Sequence, residues 1–133
     1  GMVGFTADSI HALQDVSMRS DNLFAVVLLS SLDPSAGIAD SPRLLLTTLA
    51  RSRNTNMQYS AQGTELLEVG KAPVLLEPVD VHLIFAEGAV FRVHVLDHGG
   101  HRTGRSFIAD QATLEIKGSQ HQTLYYELER IEK

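Results

Sequence analysis

The sequence predicts an all-β protein, an antiparallel β-sandwich of about eight or nine short strands. Three observations lead there. Apolar and polar residues alternate with period two in Val79–Phe85 and in Phe91–Leu96. The runs Leu23–Leu32 and Leu44–Leu49 are continuously apolar, strand-length and flanked by turn residues. The four prolines and ten glycines fall almost entirely between such segments, where they punctuate rather than interrupt strands.

Taken in order, Gly1–Ser9 reads as a lead-in, with Gly1 as a remnant of tag removal ahead of a start Met. A single domain fills residues 10–133. Ile10–Met18 reads as a first strand, closed by the turn cluster at Arg19–Asn22. Leu23–Leu32 has helix-favouring Leu and Ala, but its valines, length and flanks favour a central strand. Turns at Asp33–Gly37 and Asp40–Pro42 lead to Leu44–Ala50. A polar loop, too long for a hairpin turn, then separates Leu44–Leu49 from Val74–Leu76.

The last third is more regular. Pairing Phe85 with Phe91, Leu83 with Val93 and Val81 with Val95 predicts a hairpin around Glu87-Gly88-Ala89 with one apolar face. Asp97–His101 carries two glycines and reads as another hairpin turn. Strands follow near Ser106–Ala109, around Leu114 and Ile116, and over Leu124–Leu128. No convincing amphipathic helix, repeat or low-complexity tract stands out.

Composition bounds the function. The chain has 133 residues, 44% hydrophobic and 20% charged, ordinary for one globular domain with a real core. Its net charge is −5, and the basic residues are scattered, with only Arg51, Arg53 and the somewhat distant Arg43 grouped. A nucleic-acid partner normally leaves a concentrated basic stripe, so none is expected. Cysteine is absent, which removes disulfides, thiolate metal sites and cysteine nucleophiles together. No apolar run approaches the roughly 20 residues that cross a bilayer as a helix, so no membrane partner is expected. No signal peptide is visible; a secreted or periplasmic location would need a signal on a longer parent chain.

Several residues invite chemistry. In the predicted hairpin His82 and His94 face each other on the side away from the core, with His98 and His101 in the next turn. Two cross-strand imidazoles and a loop histidine suit zinc; the plainer reading is solvated strand and turn residues, because spacing pins no further ligand. Arg51, Arg53 and Asn54 close the central stretch and suit a sugar-contacting or domain-docking loop. The plainer reading has Asn54 shaping the turn and one arginine pairing with Glu77, which sits between Leu76 and Pro78. Ser30, Ser31, Thr47 and Thr48 lie within apolar strands, with no base or oxyanion turn to make a nucleophile. Aromatic content of 6% and no Trp is poor for stacking sugar rings, though a carbohydrate-binding module stays open.

In combination, Phe24–Asp33, Arg43–Arg51, Asn54–Met57 and Ala72–Val79 resemble the C-terminal β-sandwich domain of bacterial TIM-barrel glycoside hydrolases of the β-galactosidase and xylosidase kind. There a stretch like SLD…RLLLT..AR..NT.M precedes P.L.EPV and a strand pair ending LD..G.R.G. Here that last element is Leu96–Gly104, with one extra residue in its turn, and Thr123–Leu128 matches the closing strand. The resemblance spans about Asn22 to Arg130 and rests on order and spacing. It implies an accessory domain, inactive alone, needing no cofactor, that packs against the catalytic barrel of a parent glycoside hydrolase. The two carboxylates of such chemistry belong to the barrel, so no catalytic residue carries over. A free-standing carbohydrate-binding module and a small histidine-metal β enzyme are the rivals. Because Leu23–Leu32 and Leu44–Leu49 are apolar on both faces, a homodimer is also expected.

Overall fold

A computed structural model describes residues 1–6, 9–110 and 112–131. Its strands are β1 (Met2–Phe5), β2 (His11–Ala12), β3 (Val16–Ser20), β4 (Phe24–Ser31), β5 (Arg43–Leu49), β6 (Ser52–Thr55) and β7 (Gln58–Tyr59). They continue with β8 (Leu66–Glu68), β9 (Lys71–Leu76), β10 (Asp80–Phe85), β11 (Val90–Leu96), β12 (Arg102–Ala109) and β13 (Thr113–Lys117). One helical turn, α1 (Gly118–His121), precedes β14 (Tyr125–Ile131). The fold is all-β and antiparallel, as the period-two segments require.

Two sheets make the sandwich: one in the order β1-β4-β5-β14-β11-β12, the other β13-β10-β3-β2. In the inner strands every second residue enters the space between them. Ala25, Val27 and Leu29 of β4, Leu44 and Leu46 of β5, and Tyr126 and Leu128 of β14 come from the larger sheet. Val16 and Met18, Val81 and Leu83, and Leu114 and Ile116 come from the smaller one. Each valine, leucine, isoleucine or methionine among them, fully withdrawn from water, contributes about 1.5–3 kcal/mol.

The chain departs from the predicted layout in four places. Met2–Phe5 is a strand rather than a lead-in: it pairs with β4 from Met2↔Val27 to Phe5↔Phe24 and buries Met2 in the core. Four residues are too few for alternation to stand out. Ile10–Met18 is not one strand but the hairpin β2–β3, since Leu13 N donates to Val16 O across a tight turn.

The predicted hairpin of Val79–Phe85 with Phe91–Leu96 does not form. β10 pairs with β13 and β3, while β11 pairs with β12 and β14 in the opposite sheet. The apolar faces do meet, but across the layers, with the Phe85 and Phe91 rings 4.7 Å apart. Alternation specifies the buried face; it is the same for a ladder partner and for a partner across the core.

Finally, the long polar loop is itself β structure. β6 pairs with β9, and β7 with β8, so residues 52–76 form a narrow ribbon standing off the sandwich. It turns where glycine and asparagine permit positive φ, at Asn56 (62°) and Gly70 (74°). With these additions the described strands number more than the eight or nine expected.

Candidate functional site

The ribbon is the most distinctive surface. Every residue of β9 is exposed, and so are all three of β8. Leu67, Val69 and Val74 are 60%, 62% and 60% exposed, and Leu66, Leu75 and Leu76 lie open beside them. No core residue comes from 52–76. The ribbon's apolar side chains therefore do nothing for the sandwich interior.

Its base is rigid. Arg51 Nε donates to Glu77 Oε2 at 2.7 Å, and Glu77 N donates to Arg51 O at 2.9 Å. Asn22 Nδ2 adds bonds to Glu77 Oε1 (3.3 Å) and Pro78 O (2.8 Å), while Asn22 Oδ1 accepts from Asp80 N. The Arg51 guanidinium, opposed by slight burial and helped by Asn22, holds the Glu77 carboxyl below its usual range. Arg53 does not join this clamp; it lies over the Tyr59 ring at 5.3 Å. Asn54 Nδ2 donates to Val69 O, tying the ribbon's two sides. Beside the base lies a cavity of about 380 Å³, lined by Val74, Leu76, Glu77, Pro78, Gln122 and Leu124 among others.

A second polar centre lies on the outer face of the larger sheet. Glu127, only 6% exposed, receives Arg43 Nε (2.7 Å) on Oε1 and Arg102 on both oxygens. Its carboxyl is held below the usual range, first by the Arg102 hydrogen bonds. Sequence reasoning did not single out this group. Glu127 reads as an ordinary outward residue of β14, and only the pairing of β5, β14 and β11–β12 brings the arginines to it.

The histidines do not converge. His82 lies on the outer face of the smaller sheet, with Nε2 3.2 Å from Asp21 Oδ2. His94 lies on the outer face of the larger one, with Nε2 2.7 Å from Glu129 Oε2. Their predicted cross-strand pairing fails with the hairpin that would have made it. His98 and His101 occupy the exposed Asp97–His101 turn, where Asp97 Oδ1 accepts from Gly99 N and His101 N. Among the described residues no three His, Asp or Glu side chains group as a metal site.

The strand hydroxyls are used locally. Ser31 Oγ donates to Asp33 O, and Thr48 Oγ1 donates to Leu124 O. The displaced carboxyls of Asp21, Asp33, Glu77, Asp97, Glu127 and Glu129 all move downward, each held by hydrogen-bond donors. That is the direction hydrogen bonds to the charged form impose.

The site and fold define an antiparallel β-sandwich with a projecting apolar ribbon. Compared with models of known protein families, with curated proteins and with solved structures, the chain gave no match.

Proposed function

We propose that this chain is a non-catalytic accessory domain of a glycoside-hydrolase-like protein, and that it packs against the catalytic domain through its ribbon. The observation carrying this reading is the ribbon itself: a braced β-arm whose leucines and valines face water and serve no core of their own. Apolar surface beyond a few hundred Å² is unusual on a soluble monomer and marks a surface that meets something. The reading draws its glycoside-hydrolase context from the resemblance of Phe24–Asp33, Arg43–Arg51, Asn54–Met57, Ala72–Val79, Leu96–Gly104 and Thr123–Leu128 to the C-terminal domains of such enzymes. Residues of that pattern form the two polar clamps: Arg51 with Glu77, and Arg43 and Arg102 with Glu127. In this reading the clamps set the ribbon and the outer sheet face at fixed positions relative to the core.

The test is an assay of the purified chain with aryl glycosides, alongside calorimetry with oligosaccharides. The reading expects neither turnover nor sugar binding. Turnover lost on mutating an acidic residue of this chain contradicts it, and saturable sugar binding favours a carbohydrate-binding module instead.

A further inference from the structure

The larger sheet carries a second apolar surface that none of the described residues covers. Ala25, Val27 and Leu29 point into the core, so Phe24, Val26 and Leu28 of β4 face outward. Val26 stands opposite Val3 of β1 on one side and Leu49 of β5 on the other, and Phe5 stands opposite Phe24. Opposed residues share a face, so Val3, Phe5, Phe24, Val26, Leu28 and Leu49 form one patch. Val3 and Phe5 are 66% and 78% exposed, and the Phe5 and Phe24 rings meet edge to face at 5.7 Å. Leu28 and Leu49 are open as well. The smaller sheet shows the usual solvated face: its outer row is Arg19, His82 and Glu115.

Neither β1 nor β4 contains a charged residue. Farther along the same outer face Arg43 and Arg102 are matched to Glu127, and His94 to Glu129. The patch therefore offers a partner apolar contact and no free charge to recognise. The ribbon is a surface of the same kind, and the two adjoin. β5 ends at Leu49 and β6 begins at Ser52, so the ribbon leaves the sheet at the border of the patch. Both stay open to water, so the ribbon does not lie on its own sheet.

We propose that the outer face of β1, β4 and β5 is the seat for the ribbon of a second copy of this chain. The exchange is reciprocal: each ribbon lies on the other copy's seat about a two-fold axis, and the contact closes as a dimer. Because arm and seat adjoin, an axis beside the ribbon base joins both contacts into one continuous interface. Area favours exchange. A standard interface takes about 800 Å² from each partner, whereas either patch alone is on the order of a few hundred Å². Ribbon against ribbon leaves both seats in water, and sheet against sheet leaves both ribbons there. Exchange covers all of them. The seat rests on the proposed role of the ribbon as a docking arm, and gives that arm its partner in the isolated chain.

Sedimentation of two variants of the whole chain, apart and mixed, tests this. Leu67→Lys/Val74→Lys alters the arm, and Val3→Glu/Leu28→Glu alters the seat. Circular dichroism checks that both fold, with Phe5→Glu in place of the seat pair if that pair unfolds the sheet. Each variant alone should self-associate about tenfold or more weakly than the wild type. Their equimolar mixture should recover a dimer, because one intact arm meets one intact seat and the altered pair sets Lys against Glu. A seat variant that associates as the wild type does, or a mixture that stays monomeric, overturns the exchange while leaving the ribbon a docking arm. A wild-type chain that is monomeric throughout overturns the arm itself, and the seat with it.

Discussion

Arg102 grips both carboxylate oxygens of Glu127, donating from Nη2 to Oε1 at 2.7 Å and from Nε to Oε2 at 3.0 Å. This bidentate contact joins the edge strand β12 to β14 across β11, and Arg43 braces the same carboxylate from β5. Glu127→Ala should cost about 1–3 kcal/mol, because two arginines lose one buried acceptor together. Arg43→Ala should cost less than Arg102→Ala, having one bond to lose rather than two. Thermal denaturation of the three variants checks the order.

The same group sets an acid limit. Its folded-state carboxyl titrates below the ordinary glutamate value, so its contribution is complete above the unfolded pKa of about 4.5 and is lost as pH falls through the lower folded value. The wild-type Tm should therefore fall more steeply below that pH than the Tm of Glu127→Gln. Parallel acid profiles for the two proteins would remove the clamp from the account.

Tyr126 sets the alkaline counterpart. Its phenol is pushed up to about 12 by burial and then by the Asp80 charge, from an ordinary value of 10. A folded pKa raised above the unfolded one gives stability that is complete below pH 10 and is lost between there and about 12. Tyrosinate absorbance should show one of the three tyrosines ionising only with alkaline unfolding. Its early, reversible titration in the folded protein would contradict the burial.

Gly118 leaves no room for a side chain. A Cβ there would strike Val79 O and stand 2.7 Å from Val79 N, both backbone atoms that cannot swing aside. Gly118→Ala should cost about 1–3 kcal/mol. Gly70→Ala should leave the Tm nearly unchanged and instead loosen the ribbon, where its Cβ would meet the Thr55 and Met57 backbone at a φ of 74°. Limited proteolysis within 56–70 reads that difference.

Fold class was legible because alternation reports directly on burial. Val81 and Leu83, or Phe91 and Val93, could belong to nothing but half-buried strands. Strand partners were not legible, because Phe85 and Phe91 look the same whether they share a ladder or face each other across the core. That ambiguity also misplaced His82 and His94, whose separation follows from sheet membership alone. Glu77 could be singled out as a charge between Leu76 and Pro78, and its partner is Arg51. Glu127 could not, since its burial comes from arginines distant in sequence rather than from its own neighbours.

The ribbon's exposed apolar surface should meet another surface, and sedimentation of the isolated chain over a wide concentration range measures whether it does. The isolated chain should associate above the 14.5 kDa monomer mass increasingly with concentration, and Leu67→Lys/Val74→Lys should return it to monomer with the sandwich still folded by circular dichroism. A wild-type chain that stays monomeric at high concentration, or a double variant that associates as before, would contradict it.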